Sequence, residues 1–254
     1  MKQKLLDQSI AVRTNVLPEV KKVCDTVKPD YDKVEQYKTD IVQWLKPVIN
    51  LQGYSVYPMN GCTEGLNWWH LQETRGITVN KGEYQWISPC NGNGEMQYIS
   101  VPSAIDGNFK LLPADMPIAL DLAYVGSSKV TRIEYSPNIE FVFYSLSKAF
   151  GVRNIRTGWL FTKYPDKKLE SLIHNAKYYN YYAHEVAEKI INNFDIDYVH
   201  NNLCHLQYKI CNAMDFSPSD SVWLATTKNK DYTKFMRDGK KARICLSGVY
   251  NEEE

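Results

Sequence analysis

The 254-residue chain has few of the features that announce a function early. Its 30 basic and 29 acidic residues leave a formal net charge of +1, so no global field points to nucleic acid or to an anionic membrane. No apolar run approaches the ~18 residues needed to cross a bilayer, and no membrane partner is expected. The opening Met1-Lys-Gln-Lys-Leu-Leu-Asp-Gln has no apolar signal core, which favours a cytoplasmic chain over a secreted one. Six cysteines (Cys24, Cys62, Cys90, Cys204, Cys211, Cys245) lack CxxC or Cys/His ligand spacing and read as reduced thiols. Five histidines (His70, His174, His184, His200, His205) share no HExxH-like spacing, so no metal is expected. Repeats and low-complexity segments are absent apart from the closing Glu252-Glu-Glu254, which reads as a frayed tail. What the chain does have is aromatic residues: 18 tyrosines and 6 tryptophans, consistent with stacked, aromatic-lined sites.

One stretch organises the rest. Ile139-Glu-Phe-Val-Phe-Tyr144 reads as a buried strand, and Trp159-Leu-Phe-Thr162 as a second. Between them runs Ser145-Leu-Ser-Lys148-Ala-Phe-Gly151-Val-Arg-Asn-Ile-Arg156-Thr-Gly158. A lysine held in a partly dry site is expected to lose some of its ammonium preference, because desolvation disfavours the charged form. A neutral amine forms a Schiff base with a carbonyl. Ser145, Ser147 and Arg156 offer donors for a phosphate, with arginine suited to a bidentate grip. By themselves these residues also fit a surface loop with a solvated lysine.

The stretch resembles the Schiff-base lysine motif of fold-type-I pyridoxal-phosphate enzymes, in the class I/II aminotransferase pattern S-x-S-K-x-x-G-x-x-x-x-R-x-G, and fills every fixed position of it. Three further blocks match in the family's order. In Met59-Asn-Gly61-Cys62-Thr63-Glu-Gly65, ahead of an expected helix, backbone N–H groups form an anion site; an ordinary capped helix fits equally well. The resemblance assigns Gly61, Cys62 and Thr63 to the cofactor phosphate, although Cys62 also fits as a small buried residue. Pro117-Ile-Ala-Leu-Asp121-Leu-Ala-Tyr124 carries a carboxylate to the expected C-terminal end of a strand, where ligands gather in open α/β sheets. The resemblance sets Asp121 beside the pyridine nitrogen and Tyr124 on the ring oxygen. Gly239-Lys-Lys-Ala-Arg243-Ile-Cys-Leu-Ser247 resembles the family's closing strand, whose arginine grips the substrate α-carboxylate; a charge on an edge strand is the alternative for Arg243. Tyr84 matches the aromatic stacked on the ring better than Trp86 does. Where the family has an asparagine, this chain has Val101, leaving Ser100 and Ser103 as candidate donors.

These matches imply an α/β fold with a mostly parallel sheet flanked by helices and a minimal C-terminal small domain, in a family member shortened at both ends. The expected organisation is a helical segment over 1–48, a cofactor-binding domain over 49–185 and a reduced small domain over 186–254. The first segment reads as a helix with Leu5, Ile10, Val12, Val16 and Val20 on its face, then a second from Tyr31 to Leu45. Pro29 lies between the two, and Pro47 ends the second. Strands are expected at Ile77–Asn80, Met96–Pro102 and Ser221–Thr226, a loop over Pro89–Glu95, and helix from Leu169 to His174 and past His184 to Phe194. The implied activity is an aminotransferase acting on amino and keto acids with pyridoxal 5'-phosphate on Lys148. Alternatives are a decarboxylase or C–S/β-eliminating lyase of the same fold, or a catalytically impaired cofactor-binding protein. A homodimer with shared active sites is implied, with Tyr178, Tyr179, Tyr181 and Tyr182 either at the partner's site or simply packing an interface. No arginine lies among those tyrosines, so a neutral or aromatic substrate side chain is expected.

Overall fold

Alternation along the central strands decides the architecture. In the computed structural model, which describes residues 1–8, 12, 14–28, 30, 32–84, 94–134 and 136–250, Ile118, Leu120, Val142, Tyr144, Trp159 and Phe161 enter one apolar core. Their strand neighbours Ala119, Phe143 and Leu160 enter another. Side chains on a strand point to opposite faces with period two, so this sheet is covered on both sides, as parallel sheets generally are.

Three helices open the chain: α1 (Lys2–Asp7), α2 (Pro18–Cys24) and α3 (Val34–Leu45). The first expected helix is therefore two. Pro18 starts the second from its first turn, where a missing N–H is tolerated. α3 stops before Pro47, as expected. Pro29, Tyr31, Trp86, Cys90, most of the expected loop over 89–95 and the acidic tail lie outside the described residues.

Strand β1 (Ser55–Met59) leads into helix α4 (Cys62–Gln72), followed by β2 (Ile77–Val79), β3 (Met96–Ser100), β4 (Ile118–Asp121) and β5 (Ile139–Tyr144). A one-turn helix α5 (Leu146–Ala149) separates β5 from β6 (Gly158–Thr162). The sheet order is β1-β6-β5-β4-β3-β2. Strands β2 to β5 run parallel, and β6 is antiparallel to both β5 and β1. The C-terminal ends of five strands and the start of β6 therefore share one edge, the edge at which such sheets bind ligands.

After β6 come α6 (Lys167–Glu170) with a π-helical turn to Asn175, then α7 (Tyr181–Asn193) and α8 (Tyr198–Met214). The expected helix across 169–194 is thus interrupted before Asn180, whose side chain caps α7 by accepting from the Ala183 N–H at 3.0 Å. Helix α8, the longest among the described residues, has no counterpart in the expectations above, although Val199, Leu203, Leu206 and Ile210 mark a helical stripe. A second sheet follows, with β7 (Ser217–Pro218), β8 (Leu224–Thr227) and β9 (Ala242–Cys245) all antiparallel. Between β8 and β9, Lys230–Phe235 is a 3-10 helix. Gln207 of α8 holds the chain before β8 by donating to the carbonyls of Ser219, Ser221 and Leu224 at 2.8–3.0 Å. The strand expected from Ser221 begins only at Leu224.

Candidate active site

At the shared edge, one cleft of about 120 Å³ is lined by Cys62, Thr63, Tyr84, Asp121, Ala123, Ser145, Ser147, Lys148 and Arg156. Eight of these nine are residues the sequence singled out. Roomier clefts of about 260 and 460 Å³ lie elsewhere and contain none of them. Volume alone would misplace the site.

Asp121 ends β4 and is 5% exposed. Its register against β3 pairs it with Ser100 and puts Tyr98 on the same face. The Tyr98 hydroxyl donates to Oδ2 at 2.6 Å, and the Ala123 N–H donates to Oδ1 at 2.8 Å. Burial pushes the carboxyl up, against the Tyr98 hydrogen bond and the charge of Lys148, which favour ionisation. No cation stands within ion-pair distance of it among the described residues. A buried carboxylate left this way is suited to a cationic ring nitrogen. Tyr98 was missed because its role depends on the β3–β4 register, which no local pattern announces.

Lys148 lies on α5, its Nζ donating to the Tyr124 hydroxyl at 3.3 Å. Its ammonium sits 4.4 Å from the Tyr124 ring centre and 5.6 Å from that of Tyr84. The expected loss of ammonium character does not occur. Burial lowers the lysine, but Tyr124 and Asp121 outweigh it and hold the net value above the ordinary range. Tyr124 moves the other way: burial raises it, while the charges of Lys148, Arg243 and Arg237 bring it below its usual value. The two shifts run apart, so Lys148 holds its proton more firmly and Tyr124 yields its own more readily than either would alone.

The far end of the cleft is rich in donors. Gly61 precedes α4 with φ of +83°, and a Cβ there would stand 2.5 Å from Arg156 Nη2. A Cβ on Gly158 would stand 2.5 Å from Gly61 Cα. The two glycines thus allow α4 and the start of β6 to close on the Arg156 guanidinium, which also donates to the Asn60 carbonyl at 3.0 Å. Thr63 Oγ1 lies 3.4 Å from the Tyr84 hydroxyl. The Ser145 hydroxyl accepts from the Ser147 N–H at 3.1 Å, donates to the Thr157 carbonyl at 2.7 Å and lies 2.9 Å from the Ser147 hydroxyl. Helix N–H groups, hydroxyls and a guanidinium converging on a glycine-cleared space form a fitting cradle for a phosphate. Desolvation pushes the Cys62 thiol well up, so it remains a thiol in hydrogen-bond contact with Asp121.

Gly151 of the same motif has a different task. A Cβ there would meet the Asn15 carbonyl at 2.2 Å. The segment before α2 crosses at this point, with Thr14 donating to the Ser147 carbonyl at 3.3 Å. Of the donors considered in place of the missing asparagine, Ser100 is engaged: its hydroxyl donates to Glu83 at 2.5 Å and accepts from the Ala104 N–H at 2.6 Å. Ser103 is buried and accepts from the Ile105 N–H. Neither lines the cleft.

Arg243 is 5% exposed on β9, donating to the Ala104 carbonyl. Its charge reaches both Tyr124 and Lys148. It is therefore a buried cation within electrostatic reach of Lys148 rather than an exposed edge charge, although it does not line the cleft. Tyr178 and Tyr182 are 69% and 44% exposed, and no tyrosine of that cluster lines the cleft. Two further groups were not foreseen: the buried Glu83, and Arg237, whose charge also reaches Tyr124.

No family model matches this sequence, and no curated protein does. Solved structures do. Histidinol-phosphate aminotransferase from Sinorhizobium meliloti, in complex with pyridoxal 5'-phosphate, is 14% identical; the match covers 94% of this chain and 89% of that one, with a TM-score of 0.64. The pyridoxal-phosphate-bound C–S lyase from Staphylococcus hominis is 11% identical over 96% of this chain and 91% of that one, at 0.68. L-threonine-O-3-phosphate decarboxylase from Porphyromonas gingivalis is 15% identical over 94% and 95%, at 0.63. The fold is that of fold-type-I pyridoxal-phosphate enzymes, and it is shared by enzymes of three reaction types.

Proposed function

We propose that this chain is a pyridoxal-phosphate-dependent enzyme acting on an α-amino acid, with transamination to a keto acid as its reaction. One observation carries the reading. Within this fold, Lys148, the buried Asp121 carboxylate and the donors around Cys62 and Arg156 line one cleft, the chemical groups that an aldehyde, a ring nitrogen and a phosphate call for. The cofactor, when bound, supplies the electron sink for the substrate α-carbon.

The chain's own residues do the rest. Thr63, Ser145, Ser147, Arg156 and the N–H groups of Gly61 and Cys62 hold the phosphate. Asp121, ordered by Tyr98 and the Ala123 N–H, accepts from the ring nitrogen and keeps it cationic. Tyr84 would stack on the ring, and Tyr124 would donate to the ring oxygen. Lys148 would anchor the cofactor and, as a free amine, would move the substrate α-proton as general acid and base. Its hydroxyl neighbour Tyr124 supplies a partner for that proton. Arg243 orients the substrate α-carboxylate. We further propose that two copies associate, with the exposed Tyr178 and Tyr182 facing the partner.

The C–S lyase and the decarboxylase among the structural neighbours keep elimination and decarboxylation as the second reading. Turnover with a panel of amino acids, following amino transfer to 2-oxoglutarate and pyruvate alongside CO2 and ammonia release, separates the two. Keto-acid-dependent amino transfer supports the first reading. Ammonia or CO2 release without an acceptor replaces it with the second.

A further inference from the structure

We propose that Asn180 is a positioning residue for the phosphate grip. It ties the residue before Gly61 to the residue before Arg156, and so holds the two sides of the cradle at a fixed gap. This inference rests on the reading above, in which that cradle takes the cofactor phosphate.

The backbone of Arg156 needs something to hold it. Among the described residues, Arg156, Lys177 and Asp215 are the non-glycine positions with left-handed φ, at +61°, +49° and +54°. Asp215 caps α8, and Lys177 follows the π-helical turn that ends at Asn175. Helix ends commonly take this conformation. Arg156 ends no helix. It follows a turn closed by the Ile155 N–H on the Val152 carbonyl at 3.1 Å, and it leads into β6. A residue with a side chain stays in this region only where its surroundings hold it there.

The guanidinium donates to the carbonyls of Arg153 and Asn60, at 3.4 and 3.0 Å. These bonds fix the tip of the side chain but not the chain ahead of it. The Asn180 carboxamide fixes that. Its Oδ1 accepts from the Ala183 N–H at 3.0 Å, which leaves Nδ2 as a donor with two hydrogens. Nδ2 meets two acceptors, Asn60 Oδ1 at 3.3 Å and the Ile155 carbonyl at 3.4 Å. Asn60 is in turn fastened to α4, its backbone N–H and its Nδ2 both donating to Glu64 Oε2, at 2.6 and 3.1 Å. One carboxamide therefore joins the start of α7, the turn that carries Arg156 and the head of α4.

The gap it sets is already tight, since a Cβ on Gly61 would stand 2.5 Å from Arg156 Nη2. A bidentate grip needs its donors at a fixed spacing. With the Asn180 amide removed, the Ile155 carbonyl turns to water and the Arg156 backbone is released from one of its restraints. Asn180 does not line the cleft, so it acts on a phosphate only through Asn60 and Arg156.

Asn180→Ser and Asn180→Thr both keep a side-chain oxygen to cap α7, and both are too short to reach Asn60 and Ile155. Pyridoxal 5'-phosphate and pyridoxal, which lacks the phosphate, are titrated into the cofactor-free full chain and followed by the visible spectrum. Inorganic phosphate is titrated calorimetrically. Each variant should bind pyridoxal phosphate about ten-fold more weakly than the parent, the size of one or two neutral hydrogen bonds. Inorganic phosphate should weaken in step, and pyridoxal should stay within about two-fold. In an Arg156→Gln background the same substitutions should cost no more than about three-fold, because residues of one network do not add. An unchanged ratio of pyridoxal phosphate to pyridoxal affinity overturns the proposal. So does an equal loss for both ligands, or a loss in the Arg156→Gln background as large as in the parent. A parent chain that binds phosphate but not cofactor counts against the proposed function alone, and the phosphate titrations then decide the role of Asn180. A parent that binds neither overturns both.

Discussion

At the scale of single residues, the site is a set of buried charges that oppose one another. Glu83 is 2% exposed, and burial raises it to about 7 against the Ser100 hydrogen bond. His184 is fully buried between Tyr37 and Trp159, and burial lowers it to about 3. Their effects on stability have opposite signs. Glu83 holds its proton more tightly when folded, so its contribution falls as pH rises from the unfolded carboxyl range near 4.5 to about 7. His184 resists protonation when folded, so its contribution falls as pH drops from about 6.5 towards 3. In the overlap the two slopes cancel in part. Glu83→Gln should therefore gain stability over the parent protein between pH 5 and 8, by roughly 3 kcal/mol at the upper end. Urea unfolding at both pH values measures it, and equal midpoints relative to the parent at both pH values would show that Glu83 ionises freely.

Asp121 belongs to the same scale. Asp121→Ala removes the partner of the ring nitrogen and leaves the phosphate cradle intact. Losing one member of a buried charge pair costs about 3–5 kcal/mol, so turnover should fall by at least a hundred-fold while the variant still takes up cofactor. Retained turnover would mean that another group meets the nitrogen.

At the scale of elements, glycines decide how closely the site's parts approach. Gly158 of β6 stands against Gly61 at the head of α4, with no room for a Cβ. Gly248 has nothing within 4 Å of its Cβ position. Gly158→Ala should cost about 1–3 kcal/mol through overpacking and weaken cofactor retention, whereas Gly248→Ala should change neither. Thermal melting with and without cofactor compares them. Equal behaviour would mean that the contact between α4 and β6 yields freely. These elements were largely legible in the sequence. The strands β3 to β6 are near-continuous apolar runs because both faces are buried, and Ser145-Leu-Ser-Lys148 follows its strand directly. What escaped depended on pairing rather than on local pattern. Tyr98 reaches Asp121 through the β3–β4 register, which no local pattern announces. The split of the first helix could have been read from Pro18. The stripe of α8 could have been read from its spacing.

At the scale of the whole molecule, the sheet carries every proposed cofactor contact on one edge, while β9 brings Arg243 from the second sheet. The segment before α2 ties the two together: Thr14 bonds to Ser147, and Asn15 donates to the Ser247 carbonyl at 3.3 Å. With Tyr178 and Tyr182 exposed beside α7, a second copy is proposed to complete the site. Mixing inactive Lys148→Ala chains with chains carrying Tyr178→Ala and Tyr182→Ala should recover activity in heterodimers. A fully active monomer by sedimentation contradicts that proposal.

The central claim is that Lys148 anchors pyridoxal phosphate. Its most direct test is borohydride reduction of the cofactor-loaded protein, followed by peptide mapping by mass. The account predicts one modified peptide, carrying the reduced cofactor on Lys148, and none in Lys148→Ala. A stable adduct on another residue, or no adduct in protein shown to be folded and exposed to the cofactor, would contradict it.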